Sequence, residues 1–194
     1  MTETVLTPNI IDVRCITPHE SSLVIEPLAR GMGHTLGCAL RRILLSSIPG
    51  AAVTEVVIDK VEHEFSSHPS LKEDVMDVLL NLKKLPLSIT ADKESVTLHL
   101  EKKGNGPILA SNILPSDDVQ IVDPDYVIGN LVNNGEIKME LTVEKGYGYR
   151  PASYIQNEDE PQAVGVIKLD ASFSPVRKVS YQVESARVEQ RTDL

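Results

Sequence analysis

The sequence predicts an α+β fold, in which about two helices accompany many short strands. Helical periodicity occurs at 34–47 and again after Ser70, whereas several other segments alternate or are rich in β-branched residues. No internal repeat, low-complexity tract or Ser/Gly-rich linker separates these segments. We therefore expect a compact chain.

The first predicted helix follows a short strand at 23–25 and a glycine-rich turn at 30–35. One stripe along it has the spacing of a face packed on a core, and it consists of Leu36, Leu40, Ile43, Leu44 and Ser47. The sequence Ser47-Ile48-Pro49-Gly50 ends the helical pattern, because proline and glycine interrupt helices.

The opposite face of this helix combines charge with an apolar side chain. It carries Cys38, Arg41, Arg42 and Leu45, where a free surface helix usually has only polar residues. This pattern indicates a helix that meets a partner on both sides. A surface helix with one exposed leucine is the alternative, since single exposed apolar residues are common.

A second helix is predicted after a strand at 53–61, where β-branched residues predominate. The sequence Ser70-Leu71-Lys72-Glu73 has the form of a capping box, in which Ser70 and Glu73 each bond the other's backbone amide. The helix that it opens is predicted to bury Leu71, Val75, Val78, Leu79 and Leu82.

The remaining predicted strands lie in the second half of the chain. Segments 95–100 and 137–144 alternate strictly, and the turn signal Asn133-Asn134-Gly135 precedes the second. We expect both to be half-buried strands of an antiparallel sheet. Segments 163–169 and 178–183 are predicted as two further strands.

Composition limits the classes of function. The 194 residues are 41% hydrophobic and carry a net charge of -9, which argues against a broad surface that grips phosphate backbones. Cys15 and Cys38 form no CxxC pair, which fits a reducing compartment. The N-terminus lacks a secretory signal, and no apolar run approaches the ~20 residues that span a membrane. We expect a soluble cytoplasmic protein without membrane contact.

Candidate sites for small ligands are weak. The segment Gly31 to Gly37 has the spacing GxGxxxG, one residue longer than the dinucleotide-binding pattern, so a tight turn is favoured over phosphate binding. The five histidines are scattered and form no HExxH motif. The sequence therefore predicts no metal site and no cofactor.

Two exposed segments are candidates for macromolecular contacts. The stretch Gly146 to Pro151 alternates glycine with tyrosine, which suits stacking on single-stranded nucleic acid or docking on a protein, and the net charge favours docking. The stretch Asn157 to Pro161 is acidic, and it is either solvated surface or a contact for a basic partner.

The sequence from Glu26 to Ala51 closely resembles the first helix and its flanks in the bacterial RNA polymerase alpha-subunit family. Three further blocks resemble the family in the same order, at 53–65, 72–83 and 183–193. The resemblance covers nearly the whole chain from Ile10 onward.

This resemblance implies a two-part architecture. A dimerisation domain is expected at 1–48 and 165–194, and an inserted, mostly β domain that contacts the large polymerase subunits is expected at 49–164. Similar proteins continue through a flexible linker into a DNA-binding C-terminal domain, which we expect to be absent from this chain.

The resemblance also implies site residues. Arg42 aligns with a helix arginine that binds the beta subunit, and Lys83 and the segment 170–176 fall in regions of large-subunit assembly. An activator contact is implied at Glu158, Asp159 and Glu160. The complete implied subunit interface is Thr35, Leu36, Cys38, Arg41, Arg42, Leu45, Lys83, Asp170, Pro175 and Val176.

Some positions depart from the family pattern. Cys38 stands where asparagine is expected, and Ser172-Phe173 stands where Cys-Tyr is usual. A changed helix face alters which alpha copies pair, so a homodimer and a heterodimer with a second alpha-type chain both remain open.

The function that follows from the resemblance is a non-catalytic assembly subunit of DNA-directed RNA polymerase, which transcribes DNA into RNA from four ribonucleoside triphosphates. Implied partners are a second alpha chain, the beta and beta-prime subunits, omega, sigma and transcription regulators, without direct DNA contact. Catalytic magnesium is expected in another subunit. The alternatives are an enzyme that binds a nucleotide at the glycine-rich turn and a free-standing nucleic-acid-binding module.

Overall fold

The computed structural model describes residues 7–90, 93–155 and 165–185. These residues form two compact units. The first unit comprises 7–44 and 178–185, and the second comprises the described residues from Leu45 to Arg177.

The first unit begins with an antiparallel hairpin. Strand β1 (Asn9–Thr17) pairs with strand β2 (Glu20–Glu26), so that Val13 lies opposite Leu23. The predicted strand at 23–25 is confirmed within β2. Sequence analysis missed β1, because register shifts after Ile10 and after Cys15 break the alternation that identifies a strand.

Helix α1 (Met32–Ser46) follows the hairpin and confirms the predicted first helix. Gly31 precedes it with a φ of 83°, a left-handed conformation that glycine adopts without steric cost, and the amide of Met32 donates to the carbonyl of Ala29. The prediction of a core-packed stripe is wrong for this chain, because no residue of α1 is buried. Ile43, in the middle of that stripe, is 52% exposed.

The predicted strand at 178–183 is also wrong, because residues 176–185 form no strand. Tyr181 and Val183 instead pack along α1. A Cβ atom added to Gly37 would lie 2.5 Å from the Tyr181 ring, and one added to Gly33 would lie 2.8 Å from Val183. Glycines four positions apart on a helix lie on one face, and here they leave room for an extended segment. Gly33 and Gly37 therefore allow an extended segment, rather than a strand, to lie close to the helix.

The second unit is built on one antiparallel sheet, whose strands are β3 (Pro49–Ile58), β4 (Leu87–Ile89), β5 (Ser95–Lys103), β7 (Val119–Ile121), β9 (Glu136–Tyr147) and β11 (Val166–Lys168). Their order is β5-β9-β3-β4-β7. Strand β11 also pairs with β3, along the same edge of β3 as β4. Strands β5 and β7 are therefore the two ends of this order.

The alternating segments behave as predicted. Strand β5 buries every second residue and pairs antiparallel with β9, where Leu98 lies opposite Leu141. The turn that precedes β9 uses Asn133 and Asn134 at positive φ, which asparagine tolerates well, and the amide of Gly135 closes it on the carbonyl of Val132. The prediction of two half-buried antiparallel strands is thus confirmed.

Smaller elements complete this unit. Strand β6 (Gly106–Leu109) pairs with β8 (Val127–Leu131), and β10 (Tyr149–Arg150) pairs with β12 (Ala171–Ser172). Short 3-10 turns occupy Ala110–Asn112 and Ala152–Ile155.

Helix α2 (Val75–Lys83) confirms the second predicted helix but not its capping box. Asp74 occupies the N-cap position without a side-chain cap bond. The carboxylate of Glu73 instead accepts hydrogen bonds from the amide and the side-chain nitrogen of Asn130, at 2.8 and 2.6 Å. Glu73 therefore bonds a residue of β8 instead of a backbone amide at the start of α2. The buried face of α2 consists of Val75, Val78, Leu79 and Leu82, as predicted.

The main hydrophobic core lies in the second unit, between α2 and the sheet. Its helix and strands form a mostly β domain, which agrees with the mostly β part of the predicted fold class. The hairpin and helix of the first unit do not by themselves establish the predicted dimerisation fold. Within the described ranges, no helix is long and apolar enough to cross a membrane.

Candidate subunit interface

The predicted interface residues of α1 lie at or near the surface. Thr35, Cys38, Arg41 and Arg42 are exposed, whereas Leu36 and Leu45 are half-buried. Positions 38, 41, 42 and 45 follow the three- and four-residue spacing of one helix face, so the structure keeps these side chains on a common stripe. Their role at a subunit interface stays a prediction.

Sequence analysis missed the contact that Tyr181 makes with this helix. The Tyr181 ring meets the His34 ring edge to face, with 6.3 Å between the ring centroids. A hydrogen bond with the Cys38 side chain raises the pKa of Tyr181, and Arg41 opposes the shift. Cys38, which departs from the family pattern, therefore contacts the segment that packs on α1.

The hairpin presents a second surface that sequence analysis did not identify. Large apolar side chains on both strands are more than two-fifths exposed, and they are Ile10, Ile11, Val13, Ile16, Leu23 and Val24. No described residue of the first unit is buried. An isolated hairpin is marginally stable in water, and contiguous exposed apolar surface marks an interaction site. This arrangement can serve as one half of a larger core.

In the second unit, the structure brings together two residues that the resemblance implied. Lys83, the last residue of α2, donates a hydrogen bond of 3.1 Å to Oδ2 of Asp170. The other carboxylate oxygen accepts the amide of Ala152 at 3.0 Å. The Ala152 amide, the Tyr149 hydroxyl and the Lys83 ammonium together lower the pKa of Asp170 to about 2. Asp170 therefore remains ionised near neutral pH.

The glycine-tyrosine segment lies beside this pair, at the end of β9 and in β10. The Lys83 ammonium lies 5.5 Å from the centroid of the exposed Tyr149 ring. Arg150 pairs with Glu144 and stacks over Phe173, with 5.1 Å from Cζ to the ring centroid. These contacts combine cationic and aromatic groups in a way that suits a protein interface.

The segment after β12 is held against the start of β3. A Cβ atom added to Gly50 would lie 1.8 Å from the carbonyl oxygen of Phe173, so only glycine fits there. The hydroxyl of Ser174 donates to the carbonyl of Val176 at 3.1 Å, which shapes the turn around the exposed Pro175. Pro175 and Val176 are thus fixed in position, and their part in assembly stays a prediction.

The acidic residues at the implied activator contact, Glu158, Asp159 and Glu160, lie outside the described residues. Across the described ranges, no group of three or more His, Cys, Asp or Glu side chains is placed to hold a metal ion.

Comparison with known protein families identifies the family to which the second unit belongs. The family model of the RNA polymerase Rpb3/RpoA insert domain matches residues 56–174, which is more than half of the chain. The match contains α2, the strands from β4 to β12, the end of β3 from Val56 to Ile58, and the pair Lys83 and Asp170. The chain therefore belongs to the RNA polymerase Rpb3/RpoA insert-domain family and is an Rpb3/alpha-type subunit of DNA-directed RNA polymerase.

Proposed function

We propose that this chain is the alpha-type assembly subunit of a bacterial DNA-directed RNA polymerase. It dimerises through its first unit and carries the beta and beta-prime subunits, without catalytic residues or a cofactor of its own. It acts in the cytoplasm, in a complex that also contains omega and sigma, and the catalytic magnesium belongs to another subunit. The dimerisation domain at 1–48 and 165–194 and the insert at 49–164 are part of this proposal. The division of the chain into two compact units supports a two-part architecture, although residues 165–177 belong to the second unit.

The observation that carries the proposal is the absence of buried residues from the described part of the first unit. A hairpin and a helix need a hydrophobic core to be stable, because helices in proteins depend mainly on packing of their apolar face. The described residues of this unit form no such core by themselves. A partner that covers them supplies it.

We assign a second copy of this chain to the apolar stripe of α1. Leu36, Leu40, Ile43 and Leu44 carry no charge, so two copies of the stripe can pack on each other about a twofold axis. The opposite face, with Arg41 and Arg42, is assigned to the beta subunit, because desolvated arginines often anchor protein interfaces. The two faces of α1 thus serve two partners.

The pair formed by Lys83 and Asp170 is assigned to assembly with the large subunits. It holds the end of α2, the turn at Ala152 and the exposed Tyr149 in one arrangement. A rigid, charged and aromatic surface of this kind suits a polar protein interface. A regulator contact at Glu158, Asp159 and Glu160 remains part of the proposal, and no direct DNA contact is included.

The experiment that tests dimerisation is light scattering on the purified chain and on Ile43→Lys. A lysine in the apolar stripe places a charge in the proposed interface, so we expect the variant to have the mass of one chain. Val127→Lys is the matched control, because Val127 is similarly exposed, at 46%, but lies on β8. Wild-type mass in Ile43→Lys would contradict the assignment of the stripe. A single-chain mass that doubles only after a second alpha-type chain is added would replace the homodimer with a heterodimer.

A further inference from the structure

A cleft lies between the two end strands of the main sheet. Leu98 comes from β5, at one end of the strand order, and Val119 and Ile121 come from β7, at the other end. Because both end strands line one cleft, the sheet curves until its two edges face each other across it. Ser111, residues 113–116 and Pro124 complete the walls. We call this cavity the seam cleft.

The seam cleft is mainly apolar and open to solvent. Its volume is about 350 Å³. A dry cavity of about 150 Å³ already accommodates a benzene-sized group, so the seam cleft has room for one aromatic or two aliphatic side chains. Ile113 and Val119 are buried in its floor, whereas Leu114 is 52% exposed at its mouth. An apolar group that enters would replace water over these side chains.

Backbone hydrogen bonds hold the walls of the cleft in place. The amide of Leu114 donates to the carbonyl of His99 on β5 at 2.8 Å, and the amide of Ser111 donates to the carbonyl of Pro124 at 2.9 Å. The Ser116 hydroxyl accepts the amide of Asp118 at 3.3 Å. A cavity with fixed walls binds a ligand without first paying the entropy of ordering a loop.

Three acidic residues adjoin residues that line the opening. Asp117 follows the wall residue Ser116, and Asp123 and Asp125 lie on either side of Pro124 in the sequence. The three aspartates are exposed. Within the described part of the chain, none of the three forms a salt bridge. The opening therefore carries negative charge beside an apolar floor.

A fourth aspartate near the opening differs from these three. Asp118 is already paired with Lys93, at 2.6 Å. Its amide and carbonyl are also used, by Ser116 and by Thr90. We therefore assign Asp118 to the wall of the cleft and only the other three aspartates to recognition.

We propose that the seam cleft binds a short basic peptide segment of a partner protein. One apolar side chain of the segment enters the cleft, and lysine or arginine side chains beside it lie over Asp117, Asp123 and Asp125. The charge of the opening favours cations and repels phosphate backbones, so a peptide fits it better than nucleic acid. The site lies in the second unit and does not depend on dimerisation of the first.

The test is fluorescence anisotropy with a short labelled peptide that alternates lysine and leucine, titrated with the full chain. We expect saturable one-to-one binding that weakens as salt increases, because exposed charges are screened. A peptide with glutamate in place of lysine, a peptide with alanine in place of leucine and a labelled single-stranded DNA should each bind at least about tenfold more weakly, since each lacks one of the two required features.

Variants of the chain locate the site. Leu114→Ser should weaken binding about tenfold by removing an apolar wall. The double variant Asp117→Asn and Asp123→Asn should reduce the salt dependence. Val122→Ser is the control for the first variant, because Val122 is 57% exposed and does not line the cleft. Glu62→Gln with Glu140→Gln is the control for the second, since both glutamates are exposed elsewhere.

The outcomes are distinct. Weaker binding of Leu114→Ser and a reduced salt dependence in the aspartate double variant, with wild-type behaviour in both controls, support the proposal. No saturable binding, equal binding of the acidic peptide, tighter binding of DNA, or equal weakening in the control variants would each overturn it. None of these results depends on the mass of the chain, so the proposed dimerisation is tested separately.

Discussion

The ammonium group of Lys83 lies 3.1 Å from Oδ2 of Asp170 and donates a hydrogen bond across 87 positions of the chain. The second oxygen of the same carboxylate accepts the amide of Ala152. One side chain thus joins the end of α2 to the 3-10 turn that follows β10. Both members of this pair were implied by resemblance to the alpha-subunit family, and the structure shows the contact between them.

Asp170→Asn is expected to lower the free energy of unfolding by about 1 kcal/mol, because the amide keeps the shape of the carboxylate but loses its charge opposite Lys83. The value is small because both side chains are partly exposed. Urea denaturation measures it, with Asp117→Asn as a control on an exposed aspartate outside this network. An unchanged midpoint in Asp170→Asn would contradict the stabilising role.

The same variant carries a prediction about pH. The folded-state pKa of Asp170 is about 2, below the ordinary value of 3.8, so the ionised carboxylate stabilises the fold above pH 3.8. That contribution is lost as pH falls from 3.8 toward 2. The difference in unfolding free energy between wild type and Asp170→Asn should therefore shrink across this interval. A difference that stays constant down to pH 2 would contradict the assignment.

His68 is expected to make stability depend on pH near neutrality. It is 5% exposed, its Nδ1 accepts the amide of Ser70, and its Nε2 has no hydrogen-bond partner among the described residues. Burial lowers the pKa of His68 below its ordinary value of 6.5, Lys60 lowers it further, and Asp59 opposes the shift. The neutral ring is thus favoured in the folded state.

The unfolded chain binds a proton more readily at this histidine, so the free energy of unfolding should be highest above pH 6.5 and should fall as pH drops below it. His68→Asn should remove this part of the pH dependence, since the asparagine carbonyl can still accept the Ser70 amide. Urea denaturation at pH 7.5 and at lower pH measures the change. The exposed His99→Asn is the control, and equal slopes in wild type and His68→Asn would refute the prediction.

Gly37→Ala is expected to displace the segment that packs on α1. Alanine usually stabilises an exposed helix position by up to about 1 kcal/mol relative to glycine, but here its Cβ would lie 2.5 Å from the Tyr181 ring. Limited digestion with trypsin should therefore cleave the chain after Lys178 several-fold faster, because a segment that has lost its contact with α1 is more accessible to the protease. The substitution should have little effect in a Tyr181→Ala background, because the clash is then absent. Wild-type cleavage of Gly37→Ala would show that the contact is not present in solution.

Arg42→Ala is expected to weaken binding of the beta subunit about tenfold or more, with the fold and self-association retained. Arg42 is exposed on the charged face of α1, so its loss should act on a partner more than on the core. Binding of beta to the immobilised full chain measures this, with the exposed Arg30→Ala as control. An unfolded Arg42→Ala variant would instead place this arginine in an intramolecular core.

Sequence patterns predicted the positions of helices and strands better than they predicted which residues cover them. The periodicity of α1 identified the helix, yet it could not show that Ile43 lies exposed within this chain, because periodicity reports which residues are apolar and not what covers them. Alternation at 178–183 had the same weakness. It does not distinguish a paired strand from an extended segment whose Tyr181 packs on a helix glycine.

Long-range partners were the second limit. The capping box failed because Glu73 bonds Asn130, which lies 57 positions away and offers two donors that a local pattern cannot reveal. Lys83 and Asp170 entered the predicted site only through resemblance, since no spacing rule joins residues so far apart. The strictly alternating β5 and β9 were predictable because their burial follows from their own sequence within an antiparallel sheet.

The most direct test of the assembly role is the mass of the purified full chain, measured by size-exclusion chromatography with light scattering over a range of concentrations. An assembly subunit that completes its first unit with a second copy predicts twice the 21.3 kDa mass of the chain. Ile43→Lys should then have the mass of one chain. A wild-type chain that is folded and has the mass of a single copy at every concentration would contradict the homodimer and the role assigned to α1.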